Sequence, residues 1–167
     1  LIFAGKPYPM DYGAINTFNS LAYLSRSFDN MAVLTGYELK LSRQLKEGSD
    51  VWLNTPRVTR EASGTSGMSA AMNGSINLST NDGWICEFYD NGVNSFVLPT
   101  VDHHLPTYEQ DAKDLDNLLT LLENVVVPMY YKKRKDWNKI MIESMNTVVP
   151  FFDSARMADE YYEKMYS

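Results

Sequence analysis

Over its first hundred residues the chain alternates short apolar runs with stretches of helical periodicity, and this alternation limits the fold more than any other feature. Leu1–Ala4, Met31–Thr35, Val51–Asn54, Ser75–Ser79 and Ser95–Leu98 have the length and composition of strands. Between the first two, Ile15, Phe18, Leu21 and Ala22 recur at helical spacing, and Arg26 and Ser27 close the segment. Between the second and third, Leu41 and Leu45 lie four apart and Gly48 supplies a helix stop. Strand–helix–strand alternation with short connections predicts an α/β fold, a mostly parallel sheet with helices on both faces. Ligands of such sheets bind at the carboxyl ends of strands, where helices begin.

Beyond Pro99 the pattern is helical throughout. Leu115, Leu118, Leu119, Leu122, Val125, Val126 and Met129 form one stripe, which Pro128 is expected to kink or end. A second helix carries Trp137, Ile140, Met141, Met145 and Val148 and is expected to stop before Pro150. A third begins near Ser154, with Met157, Ala158, Tyr161, Tyr162 and Met165 on one side. The stripes are read as packing faces. The expected organisation is a sheet core over residues 1–100 and the C-terminal helices of the same domain over residues 101–167. Leu1 to Gly5 reads as a buried strand without a polar lead-in, so a piece of a longer chain is expected.

Composition excludes several classes of function. With 167 residues, 44% of them hydrophobic, the chain can bury a core, and its net charge of -6 argues against a nucleic-acid partner. The basic cluster Lys132 to Lys135 ends a helical pattern and suits a helix C-terminus. Cys86, the single cysteine, allows no intrachain disulfide and fits a reducing, cytoplasmic setting. Beside Ile85 and Glu87 it is read as a small packed hydrophobe. No apolar run reaches the ~18 residues of a membrane span, so no membrane partner is expected. His103 and His104 lie in a loop with no third ligand at recognisable spacing and are read as a solvated or cleft-edge pair, so no metal site is expected.

The most informative stretch runs Glu61-Ala62-Ser63-Gly64-Thr65-Ser66-Gly67-Met68-Ser69-Ala70-Ala71-Met72-Asn73-Gly74. A glycine-bearing loop entering a helix exposes backbone N–H groups whose dipoles favour an anion, and the Thr65 and Ser66 hydroxyls can add donors. The same pattern also suits an ordinary tight turn in which Thr65 or Ser66 caps the helix. It is neither a Walker A loop nor a G-x-G-x-x-G fingerprint. Glu61 at the mouth of such a turn suits a sugar, because a carboxylate accepts hydrogen bonds from two vicinal hydroxyls.

From Glu61 to Met68, and from Ala70 to Gly74, the sequence resembles the glucose- and cofactor-binding segment of the α-glucan (glycogen and maltodextrin) phosphorylases. The flanks resemble the same family: Phe3-Ala4-Gly5-Lys6 with Pro9, the run from Met31 through Tyr37 to Leu41, Asp50 to Pro56, and Asn77 to Trp84 with Glu87. The resemblance implies the C-terminal half of a two-domain GT-B glycosyltransferase with Rossmann-like halves, of which residues 1–167 would be the donor-side part. It implies that Glu61, Ser63 and Gly64 hold the transferred glucose. It implies that Thr65, Ser66 and Gly67 surround the phosphate of pyridoxal phosphate. The partners it implies are an α-glucan, a glucose phosphate, and a missing N-terminal domain of the same chain, without which the fragment is expected to be inactive. The last helix would return toward that domain, so a bared face at Tyr161, Tyr162 and Tyr166 is expected to be sticky or to support a homo-oligomer.

One departure bears on the chemistry. The family's Schiff-base lysine falls one residue after the methionine, where this chain has Ser69, and no lysine lies between Lys46 and Lys113. A hydroxyl cannot form an imine, so the expectation is no covalently bound cofactor, with pyridoxal phosphate held only noncovalently. Two other readings stay open: a nucleotide-sugar-dependent enzyme like the glycogen and starch synthases, with the loop receiving a donor diphosphate, or a non-catalytic glucan- or sugar-phosphate-binding module.

Overall fold

The computed structural model describes residues 1–166, in two compact units: Leu1–Leu45, and the remainder from Lys46. In the first unit, β1 (Ile2–Ala4) pairs in parallel with β2 (Ala32–Leu34), in the register Ile2 with Ala32 and Ala4 with Leu34. Between them runs α1 (Tyr12–Leu24), whose first turn is capped by the Asp11 carboxylate accepting from the Ala14 N–H at 2.9 Å. A helix α2 (Leu39–Gly48) follows β2 and ends at Gly48, as its spacing predicts. No residue from 1 to 45 is fully buried. The strand expected to be buried at Leu1–Ala4 therefore has Leu1 and Ile2 largely exposed, because two short strands and one covering helix enclose too little volume for a core.

The second unit holds the core. Its sheet has the order β3-β4-β5, all parallel: β3 (Val51–Asn54), β4 (Ile76–Ser79) and β5 (Phe96–Val97). As the central strand, β4 is buried at every residue and alternates in character. Ile76 and Leu78 pack with Phe96, Leu98, Val126, Trp137 and Ile140 on one face. Asn77 and Ser79 lie on the other face. Val97 on that second face packs with Ala71 of α3 (Thr65–Met72), with Trp84 and Ile85, and with Val148. Helices thus cover both faces, and all five expected strands are present.

A short helix α4 (Ile85–Phe88), which no periodicity announced, follows β4. Beyond it lie α5 (Thr107–Leu121), α6 (Val127–Lys132), α7 (Arg134–Phe151) and α8 (Ser154–Tyr161). The Pro128 effect falls upstream of the proline. A five-residue π-turn, Leu122–Val126, widens the helix before it, and the chain stays helical to Lys132. The second helix does not stop before Pro150; it runs to Phe151, because a proline near the C-terminal end forfeits one hydrogen bond without breaking the turns before it. Met157, Tyr161, Tyr162, Met165 and Tyr166 are all about half exposed or more, so the expected bare face is present. Among the described residues no helix is long and apolar enough to cross a membrane.

Candidate functional site

The chain leaves β3 at Asn54 and takes ten residues to reach α3, and each part of that path is fastened. The Thr80 hydroxyl donates to the Pro56 carbonyl at 2.7 Å. Arg57 makes a two-pronged pair with Asp111 of α5, its Nε and Nη2 lying 2.6 and 2.8 Å from the carboxylate oxygens. That guanidinium holds the Asp111 carboxyl below the usual carboxylate range. Thr59 sits at φ +74°, a left-handed conformation costly for a β-branched residue. Directly after it the buried Asp82 carboxylate accepts from two successive backbone donors, the N–H of Arg60 at 3.0 Å and of Glu61 at 2.8 Å.

Glu61 then crosses over Gly83. A Cβ on Gly83, whose φ is +66°, would lie 2.5 Å from the Ser63 carbonyl oxygen and 2.7 Å from Glu61 Cγ, so only glycine fits beneath the loop. The Trp84 N–H donates to the Ser63 carbonyl at 2.7 Å. Gly64, at φ +103°, is the residue that caps α3, and no side chain bonds the cap. The capping residue is therefore Gly64 and not Thr65 or Ser66; both are inside the helix. The first N–H groups of a helix have no helical carbonyl to bond, and Thr65 and Ser66 occupy those first positions of α3.

Gly67 is held from inside the fold. Its N–H already donates to the Gly64 carbonyl at 3.1 Å. A Cβ there would meet Trp84 Nε1 at 2.6 Å and Asn77 Oδ1 at 2.8 Å. The glycine is needed because the indole and the β4 amide press against the backbone from inside. Asn77 Nδ2 donates to the Gly67 carbonyl at 3.0 Å, which locks the first turn of α3 to the sheet. Trp84 stacks on Phe88 at 5.0 Å and meets Phe152 edge-on at 5.3 Å.

The site residues named from sequence are thus contiguous: Glu61 half-buried, Ser63 exposed, Gly64 at the cap, Thr65 exposed and Ser66 half-buried at the helix start. The supporting residues, Asp82, Trp84 and Asn77, carry no role in the sequence reading. The Asp-Gly pair after a strand and an asparagine inside an apolar strand were the available signals.

Ser69 lies one turn into α3, where its hydroxyl donates to the Thr65 carbonyl at 2.7 Å, and its own carbonyl accepts from Asn73 Nδ2 at 2.7 Å. Pyridoxal phosphate asks for a phosphate cradle and an amine. The cap of α3 fits the first need; Ser69 offers no amine for the second, so the residues do not fit an imine-held cofactor at this position. Cys86, expected to be packed, is exposed, and its Sγ donates to Asn81 Oδ1 at 3.3 Å. Partial burial and then the nearby Asp82 push its thiol up, which makes it a poor nucleophile. His103 and His104 are exposed, as expected of a loop pair, with ring centroids 4.0 Å apart.

No family model matches the chain. Along essentially its full length it is 44% identical to an uncharacterized protein of Methanocaldococcus jannaschii, with 99% of this chain and 31% of that protein covered. It is 40% identical to the maltodextrin phosphorylase of Thermococcus litoralis and 34% identical to the glycogen phosphorylase of Aquifex aeolicus. In both cases all of this chain is covered, with 20% and 25% of the relative. The chain therefore spans 20–31% of the length of these relatives. The crystal structure of HepE from Anabaena, solved with UDP-glucose, superposes with a TM-score of 0.68 at 14% identity, covering 99% of this chain and 40% of that one. Its fold is α/β of the GT-B kind, and from end to end its sequence is similar to one stretch of the α-glucan phosphorylases.

Proposed function

We propose that residues 1–167 form the donor-side part of a retaining enzyme that transfers glucosyl units between α-1,4-glucan and phosphate. The observation that carries this reading is the unbroken similarity to proteins named maltodextrin and glycogen phosphorylase across the whole chain, the Glu61–Gly74 stretch included. In the reaction, the bond from glucose C1 to the chain's O4 breaks and a bond from C1 to a phosphate oxygen forms. The proton that leaves HPO₄²⁻ ends on O4. Glu61 accepts from sugar hydroxyls, with Ser63 and the Gly64 backbone beside it. The N–H groups and hydroxyls of Thr65 and Ser66 stabilise a phosphate at the helix start, where negative charge builds during transfer. Gly67 shapes this cradle by admitting Trp84 beneath it. No step passes through pyridoxal phosphate, which in this reading is held, if bound, through its phosphate alone.

Ser69 favours a second reading, in which the same helix start receives the diphosphate of a nucleotide sugar and glucose is added to glucan. The test uses the full-length protein carrying these residues, freed of any bound cofactor. Glycogen is supplied with inorganic phosphate, with and without pyridoxal phosphate, or with UDP-glucose or ADP-glucose. Release of glucose 1-phosphate is the expected outcome, reduced at least about 10-fold by Thr65→Ala, since a hydrogen bond to a charged group contributes about 1.5–3 kcal/mol. Incorporation from a nucleotide sugar without phosphorolysis would establish the second reading. Glucan or sugar-phosphate binding without turnover would leave only a binding module.

A further inference from the structure

The loop that follows β5 holds a second arrangement, which the glucosyl chemistry does not use. Asp102, His103 and His104 each present one ligand atom, a carboxylate oxygen and two imidazole nitrogens. These atoms lie within 4.8 Å of one another. Among the described residues this is the one group of three or more histidine, cysteine, aspartate or glutamate side chains gathered this closely. The third donor that the sequence spacing did not supply is the adjacent aspartate.

We propose that Asp102, His103 and His104 bind a divalent transition metal, zinc being the ion best matched to two imidazoles and a carboxylate. Around a tetrahedral zinc with ligands at about 2.1 Å, neighbouring donors stand about 3.4 Å apart. The imidazoles stand 4.0 Å apart between centroids with their planes at 40°, so binding requires the exposed rings to turn until one nitrogen of each meets the ion. The backbone itself is held in place. Val101 is buried and anchors one end of the turn. Asp102 Oδ1 accepts from the His104 N–H at 2.9 Å, which aims the carboxylate back over the turn and leaves its other oxygen for a cation. The side-chain amide of the buried Gln110, on α5, donates to both the His103 and Leu105 carbonyls, at 3.1 and 2.6 Å. Hydrogen bonds behind the ligand-bearing turn fix how the ligands are presented before the ion arrives.

Three protein ligands leave at least one position for water or another oxygen donor. Asp102 also borders a cavity of about 380 Å³ together with Thr100, Lys113, Asp116 and Asn117, which neither histidine lines. The site makes no use of Glu61 or of the start of α3, so it stands or falls independently of the glucosyl-transfer reading.

The test is calorimetric titration of the tag-free full-length protein, cleared with a chelator, with Zn²⁺ and separately with Mg²⁺. His103→Ala, His104→Ala and Asp102→Asn are measured alongside. The asparagine retains an oxygen that accepts from the His104 N–H, so it removes the charge and keeps the turn. Saturable zinc binding without magnesium binding is expected, weakened at least about 10-fold in each variant, since even outer-shell changes cost that much. Shifts of the His103 and His104 imidazole resonances on adding zinc should accompany it. Absence of saturable zinc binding, or zinc binding that survives both histidine substitutions unchanged, would overturn the site. All three side chains are exposed, and thermal melts of the metal-free variants matching the parent's verify that the fold is intact.

Discussion

At the scale of single residues, the glycine-rich loop is shaped as much from below as from above. Gly64 at the cap of α3 and Gly83 beneath the loop take left-handed conformations, and Gly67 leaves room for an indole ring. Gly67→Ala should cost about 1–3 kcal/mol, the usual penalty of forcing an extra carbon into a packed site. A urea melt of wild type and variant measures it, and an unchanged midpoint would show that Trp84 has somewhere to go. The residues proposed to face a ligand were named from the sequence because Glu61 to Gly67 is long and distinctive. Those beneath it were not. Asp82 and Asn77 act through backbone partners 10 to 22 positions away, and no periodicity records such pairings. Cys86 was misread for a related reason: flanking residues say little about exposure in a helix of four residues.

At the scale of elements, all five strands could be read from apolar runs, and the outcome diverged where burial depends on partners. The alternation of Ile76, Asn77, Leu78 and Ser79 looks like a strand with one wet face. Placed between β3 and β5, with α3 on its polar side, it is dry on both. The prolines at 128 and 150 disturb helices less than their local rule suggests, because a widened turn precedes one and a helix end follows the other. On α5 two carboxylates respond in opposite directions. Asp111 is held low by hydrogen bonding to Arg57, whereas desolvation first and then Asp111 raise Asp114. A carboxyl raised in the folded state opposes folding above that pKa, and the cost disappears as the pH falls and the group protonates. Asp114→Asn should therefore raise the melting temperature at neutral pH, with the gain fading toward pH ~4. Melts across that range check it; a gain independent of pH would assign the effect to something other than charge.

At the scale of the whole molecule, burial is uneven. Everything fully buried lies beyond residue 45, centred on β4 and α7. Backbone amides of Ala32–Leu34 should exchange with deuterium much faster than those of Ile76–Ser79, because opening a two-strand pair exposes little apolar surface. Equal protection in residues 1–167 studied alone would contradict this division. The two halves also differ in how their elements could be read. In the first, strand pairing was legible but depth was not, since a sequence does not announce how thin its sheet will be. In the second, the apolar stripe of α7 reported burial through Trp137, Ile140 and Val148, which pack into the core, whereas that of α5 overstated it, since Leu115 and Leu119 are exposed. The contact between Gly67 and Trp84 also has a historical consequence. While the indole and the Asn77 amide keep their places, every side chain at position 67 carries a cost in stability. A lineage that first shrinks the residue at 84 lowers that cost before a side chain enters at 67. Descendants with a larger residue at 67 should accordingly carry a small one at 84, and the reverse order of change should be the rarer one in their ancestry.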